Sequence, residues 1–184
     1  NQRISSRVTA GLDTVGVRIP SHPVALALIR EAGVPIAAPS ANRFTQLSPT
    51  TAEHVRQSLG ERVAMVLDGG PCEVGIESTV VSLAGKNAVL LRPGMLSQAD
   101  LEGVIGNVES VAAGAPVAHP SPGMHPRHYS PKTLLVLVEN GVLPRAGKGA
   151  YLWIREPAQA EHSVEMPIDP AGYAANLYSV LHQI

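Results

Sequence analysis

Apolar and polar positions alternate early in the chain. Val15, Val17 and Ile19 are interleaved with Gly16 and Arg18 and closed by Pro20. That two-residue period predicts a half-buried strand over residues 14–20, stopped by the proline. The period then changes. Val24, Leu26, Ala27, Leu28 and Ile29 fall within residues 22–32, a helical pattern ended by Gly33. Residues 34–38 read as a short buried strand running into the turn Pro39-Ser40-Ala41-Asn42. Ser48-Pro49-Thr50-Thr51-Ala52-Glu53 opens a second helix, with Thr50 or Thr51 as cap, that runs to Leu59 and stops at Gly60.

Further along, residues 64–67 predict a strand, and Asp68-Gly69-Gly70-Pro71 is a strong turn. Residues 78–83 and 88–91 predict a hairpin around Gly85-Lys86-Asn87, closed by Arg92-Pro93-Gly94. Ser97 then caps a short helix through Ile105. This order of elements predicts a mixed α/β layer fold. Between residues 112 and 131 the texture changes: Pro116, Pro120, Pro122, Pro126 and Pro131 interrupt any regular structure and predict an extended linker. Strands over 133–138 and 149–154, and a helix over 170–181 with Tyr173, Leu177, Val180 and Leu181 on one face, predict a second α/β unit. The expected division is therefore 1–111, a linker over 112–131, and an incomplete final domain over 132–184. The chain starts at Asn1 rather than Met, which carries the expectation that it begins inside a longer protein.

Composition narrows the function classes. Hydrophobic residues make up 45% and charged residues 16% of the 184 positions, the balance of a soluble globular domain. Aromatics are only 3%, so any core is built from Val, Leu, Ile and Ala. A net charge of -1 offers polyanions no bulk attraction, and no Lys/Arg block supplies a local one. Stable nucleic-acid binding is therefore not expected. The single Cys72 excludes an intrachain disulfide and fits a reducing cytoplasm. No apolar run approaches the length of about 18 residues that a membrane span needs.

Motifs of zinc sites, serine hydrolases and P-loop ATPases are absent. What remains is two hydroxyl-bearing turns after predicted strands, Pro39-Ser40-Ala41-Asn42 and Gly75-Ile76-Glu77-Ser78-Thr79, with Ser48 between them, and two arginines, Arg18 and Arg92. Hydroxyls and free backbone N–H groups at strand ends suit phosphate or carboxylate oxygens. Guanidinium groups grip the same anions in a two-pronged geometry. Taken singly, each has an ordinary alternative. Ser and Asn are common turn formers, and the arginines fit the exposed side of a strand or an ion pair with Asp13 or Glu77.

Together the strings point further. Val34-Pro35-Ile36-Ala37-Ala38-Pro39-Ser40-Ala41-Asn42, Ser48-Pro49-Thr50, Leu67-Asp68-Gly69-Gly70-Pro71-Cys72, Gly75-Ile76-Glu77-Ser78-Thr79-Val80 and Leu91-Arg92-Pro93-Gly94 follow in order. They resemble the second half of the catalytic domain in the Sua5/YrdC/YciO family. Pro122-Gly123-Met124-His125-Pro126-Arg127-His128-Tyr129-Ser130-Pro131 is similar to the linker of its two-domain Sua5 form. The resemblance implies the C-terminal part of a YrdC-like twisted mixed sheet, a Pro-rich linker, and part of a small Rossmann-like α/β domain.

The resemblance also implies an activity, L-threonylcarbamoyladenylate synthesis from L-threonine, bicarbonate and ATP with Mg2+. A transfer complex then moves the threonylcarbamoyl group to adenosine 37 of tRNA. By position, Thr14, Ser40, Ser48, Arg92 and the linker residue Tyr129 match ATP-binding positions, with Arg127 and His128 beside it. Arg18, Ala38 (through its backbone) and Ser78 match threonine-binding positions. No residue matches a covalent catalyst, so catalysis is expected to rest on positioning and charge stabilisation. The family's upstream Lys/Arg cluster, which holds the triphosphate, has no counterpart among the three lysines Lys86, Lys132 and Lys148, so the chain alone is expected to be inactive. Two rival readings are a non-catalytic nucleotide- or RNA-binding module and a carbamoyl transferase. Near-neutral charge disfavours the first. The Sua5-type linker and second domain disfavour the other.

Overall fold

The computed structural model describes residues 4–9, 11–111, 133–138, 148–155 and 160–184. The predicted linker, with Arg127, His128 and Tyr129, lies outside the described residues. The chain divides into two compact units, Asn1–Ser40 with Ser78–His128, and Ala41–Glu77 with Tyr129–Ile184.

The first unit is mixed α/β. A short helix α1 (Ser6–Thr9) precedes α2 (Pro23–Ala32). Helix α2 is set by local signals. Pro23 sits in its first turn, where a missing N–H costs nothing. Gly33 adopts the left-handed conformation at φ 62° and returns its N–H to the Ile29 and Arg30 carbonyls. The predicted hairpin forms as β1 (Val80–Ser82) and β2 (Ala88–Arg92), antiparallel, with an irregularity between Val80 and Val81.

Helix α4 (Gln98–Ile105) follows, and Ser97 and Asp100 form its capping box. The chain then enters β3 (Val108–Ser110), parallel to β2, an element the sequence pattern did not reveal. Side chains of α4 hold β3 in place. Gln98 Nε2 donates to the Val108 carbonyl at 2.7 Å, and the Val108 N–H donates to Glu102 Oε1 at 3.3 Å. Val108 itself is buried, at 2% exposure.

The second unit contains α3 (Ala52–Leu59), a 3-10 turn (Gly60–Arg62), two parallel strands β4 (Ala150–Trp153) and β5 (His162–Glu165), and α5 (Pro170–Gln183). Thr51 rather than Thr50 caps α3, its hydroxyl accepting from the His54 N–H. Asp169 caps α5 in the same way from Gly172, and Pro170 starts that helix. Met166, Ala174, Val180 and the polar Thr50 are buried here.

Several expected strands do not form. Residues 14–20, 34–38, 64–67 and 133–138 make no ladder. Their apolar side chains are open to solvent: Ile19 is 86% exposed, Val34 60%, Met65 74% and Leu137 91%. The reason is physical. A strand is completed by its neighbour's hydrogen bonds, and no described segment pairs with these four. The β-rich sequence is there, but its partner is not among the described residues.

Candidate functional site

In the first unit, Thr14, Arg18, Ala38, Ser40 and Ser78 are exposed and Arg92 is half-buried. The structure brings two of them together. Arg92, at the end of β2, donates from Nε to the Ser78 carbonyl at 3.0 Å, just before β1. The antiparallel register explains this, because Val80 pairs with Arg92. Beside them the Thr79 hydroxyl donates to the Leu96 carbonyl at 2.9 Å and accepts from the Leu96 N–H at 3.1 Å. The turn around Ser78 is thus tied to the turn after Arg92, and a guanidinium and a hydroxyl-bearing loop are held at one end of the hairpin. That pairing suits an anionic ligand.

Ser48 lies in the second unit, within a polar cluster that the sequence did not mark. Its hydroxyl donates to Glu77 Oε1 at 2.7 Å. The other oxygen of Glu77 accepts from the Tyr178 hydroxyl at 3.0 Å. His182 Nε2 lies 3.1 Å from the Ser48 carbonyl. A carbonyl only accepts, so His182 carries the proton on Nε2.

The His182 ring stacks on His54, with centroids 4.0 Å apart and planes 26° from parallel. His54 Nδ1 in turn accepts from the Thr50 backbone N–H at 3.3 Å, which requires an unprotonated Nδ1 and hence a neutral ring. Burial and the facing His182 both lower the His54 pKa, against an opposing pull from Glu53. Geometry and electrostatics therefore agree on a neutral His54.

Helix α5 approaches this cluster closely. Gly75 is buried at φ 75°, and a Cβ there would come within 2.5 Å of the Ala175 carbonyl oxygen and 2.6 Å of Ala175 Cα. Only glycine meets both demands, the left-handed backbone and the contact with the backbone of α5. A signal for this face was present in the sequence. Ala174, Tyr178 and His182 are spaced by four, so a small residue and two polar-tipped rings line one stripe of the helix. Ahead of α3, the loop carrying Phe44-Thr45-Gln46 is anchored too. Asn42 donates to the Arg43 and Gln46 carbonyls, and Arg43 Nε donates to the Ser58 carbonyl at 3.0 Å.

Among the described residues no three His, Cys, Asp or Glu side chains stand where they could share a metal ion. No helix of the described residues is long and apolar enough to cross a membrane.

Comparison with known proteins gives these arrangements their context. Residues 1–94 match the Sua5/YciO/YrdC family, which carries the description telomere recombination. The chain belongs to this family. Residues 96–184 match a second family, the threonylcarbamoyl-AMP synthase C-terminal domain. Among the relatives of this Sua5/YciO/YrdC member is the threonylcarbamoyl-AMP synthase of Bacillus subtilis. It is 51% identical over 138 residues, covering 74% of this chain and 40% of that protein. The Schizosaccharomyces pombe threonylcarbamoyl-AMP synthase is 44% identical over 150 residues, 76% of this chain and 36% of that one. The crystal structure of Pyrococcus abyssi Sua5 complexed with L-threonine superposes with a TM-score of 0.88 at 34% identity, covering all of this chain and 58% of that one. The chain thus spans about 40% of the length of the curated relatives it matches.

Proposed function

We propose that this chain is part of a two-domain, Sua5-type threonylcarbamoyl-AMP synthase, a nucleotidyltransferase. The protein would make L-threonylcarbamoyladenylate from L-threonine, bicarbonate and ATP, releasing pyrophosphate, to supply threonylcarbamoyl groups for adenosine 37 of tRNA in the cytoplasm. The observation that carries this reading is the 51% identity to the Bacillus subtilis synthase over 138 residues. The threonine-bound Pyrococcus abyssi relative, superposing at a TM-score of 0.88, supports an amino-acid substrate. The domain division proposed is a YrdC-like part over 1–111, a linker over 112–131 and a Rossmann-like part over 132–184.

In this reading Arg18 pairs with the threonine carboxylate, with Ser78 and the Ala38 backbone beside it. Arg92 meets a phosphate of ATP, and Thr14, Ser40, Ser48 and Tyr129 supply hydroxyls to the nucleotide. The hydrogen bond from Arg92 to the Ser78 carbonyl would couple the nucleotide and threonine halves of the site. Mg2+ would arrive on the triphosphate, which it binds through substrate oxygens rather than a dedicated cage of side chains. Rate enhancement would come from holding the reactants in line and stabilising charge as pyrophosphate departs.

The test is pyrophosphate release by the full-length protein that carries this chain. Release should require both threonine and bicarbonate. Arg18→Ala should raise the KM for threonine about tenfold or more and spare ATP, and Arg92→Ala should do the reverse, since a charge-assisted hydrogen bond is worth about 1.5–3 kcal/mol. Release independent of threonine overturns the reading. Equal effects on both substrates overturn the division of the site.

A further inference from the structure

Glu77 does more than join a loop to a helix. A serine hydroxyl has one proton and two lone pairs. The Ser48 proton is committed to Glu77 Oε1, so toward any further partner Ser48 offers lone pairs only. Phosphate oxygens are themselves acceptors, and a Ser48 held this way has nothing to donate to them. A ribose hydroxyl has a proton to give.

The commitment is enforced from α5. Tyr178 donates to the second oxygen of Glu77, and a carboxylate fixed at both oxygens cannot swing away from Ser48. His182 fixes the Ser48 backbone through its carbonyl. The close approach of Gly75 to the Ala174 and Ala175 backbone seats the loop bearing Glu77 against α5.

We propose that α5 is a positioning element of the nucleotide site: Tyr178, through Glu77, and His182 hold Ser48 with its hydroxyl proton turned away from the ligand, so that Ser48 accepts a hydrogen bond from a ribose hydroxyl of ATP and not from its phosphates. This rests on the ATP role proposed for Ser48. Tyr178 and His182 act through Glu77 and Ser48.

The experiment is steady-state pyrophosphate release by the full-length protein with ATP, 2′-deoxy-ATP and 3′-deoxy-ATP. Ser48→Ala should raise the KM for ATP about fivefold, the worth of one neutral hydrogen bond. With the deoxynucleotide that lacks the donated hydroxyl the same substitution should cost nothing, because the two losses are one bond. Tyr178→Phe should raise the KM for ATP by a similar factor while leaving the KM for threonine within about twofold, a split that a loss of general stability does not produce. Glu77→Gln, which keeps the size of the side chain but turns one acceptor into a donor, should repeat that split and serves should Tyr178→Phe fail to fold.

Equal Ser48→Ala penalties with all three nucleotides place Ser48 on the phosphates or the base and overturn the proposal. A Tyr178→Phe protein with a lower melting point and unchanged KM for ATP overturns the role of α5. No threonine-dependent release by the unsubstituted protein overturns the functional reading first, and this proposal with it.

Discussion

Residues 14–20 of the first unit and helix α5 of the second treat apolar sequence differently. In the first, Val17 and Ile19 alternate as a strand should, yet they stand 83% and 86% exposed. In the second, α5 buries Ala174 and Val180 and brings Tyr178 and His182 onto segments more than a hundred residues away in sequence. The difference lies in what each kind of element needs. A helix closes its own hydrogen bonds and needs a partner only for one face. A strand needs a neighbour for its backbone as well, so without one neither its ladder nor its face is satisfied.

Two glycines break this comparison most sharply. Gly33 and Gly75 both have positive φ, 62° and 75°, but a Cβ at Gly33 meets open space whereas one at Gly75 meets the α5 backbone. Gly33→Ala should therefore cost only the conformational strain, about 1–2 kcal/mol. Gly75→Ala adds a clash between backbones that have no rotamer to retreat into, for a total of about 2–5 kcal/mol. Urea unfolding midpoints of the two variants decide it. Equal costs would mean that α5 does not rest on the Gly75 loop.

The second test compares valines. Val180 is 9% exposed on α5, and Val17 is 83% exposed in the first unit. Val180→Ala should cost about 1–2.5 kcal/mol from lost burial and the small cavity left behind. Val17→Ala should stay within about 0.5 kcal/mol, as for other surface positions. A large cost at Val17 would show that this segment has a partner in solution, and would sharpen the contrast by identifying which unit is completed elsewhere.

How much of this was legible in the sequence follows the same division. Helices α2, α3, α4 and α5 were readable within a residue or two because their stop and start signals are local: Gly33, Thr51, Ser97 and Pro170 each act on their own turn. The hairpin of β1 and β2 was readable for the same reason, through its Gly85-Lys86-Asn87 turn. Strands β3 and β5 were missed because three or four residues carry too little period to register, and their identity comes from pairing at a distance. The expected strands at 14–20, 34–38, 64–67 and 133–138 erred in the opposite direction, since pattern alone names a strand without supplying its neighbour. At the site, family-like strings brought out Arg92 and Ser78, which the structure places in contact. Tyr178, His182 and His54 could not be paired with Ser48 and Glu77 from sequence, because nothing local says which loop a helix stripe will meet.

The smallest effect concerns acidity, and it separates the two units again. His54 faces His182 from α5, Thr50 across its Nδ1, and Glu53 beside it on α3, with Arg56 3.7 Å from Glu53. Burial first, then the His182 ring, lower its pKa from the ordinary 6.5, and Glu53 only partly offsets them. A folded pKa below the unfolded one means that the unfolded chain takes up the proton first as the solution is acidified. The stabilisation from neutral His54 is therefore complete above about pH 6.5. It declines as the pH falls from there toward the lower folded value, and is flat below it. Once protonated, Nδ1 no longer accepts from Thr50, and the charged His54 ring is left stacked on His182. Amide exchange in α5 should accordingly speed up modestly between pH 7.5 and 5.5, after correction for intrinsic rates, while the β1–β2 amides keep their protection. His54→Gln should flatten the α5 response, because the side-chain amide oxygen still accepts from Thr50 and does not titrate in this range. The direct measurement is the NMR titration of the His54 ring, whose midpoint should lie below 6.5. A midpoint at or above that value would mean that the ring is not held neutral between α3 and α5, and the polar cluster around Ser48 would then owe its order to Glu77 and Tyr178 alone.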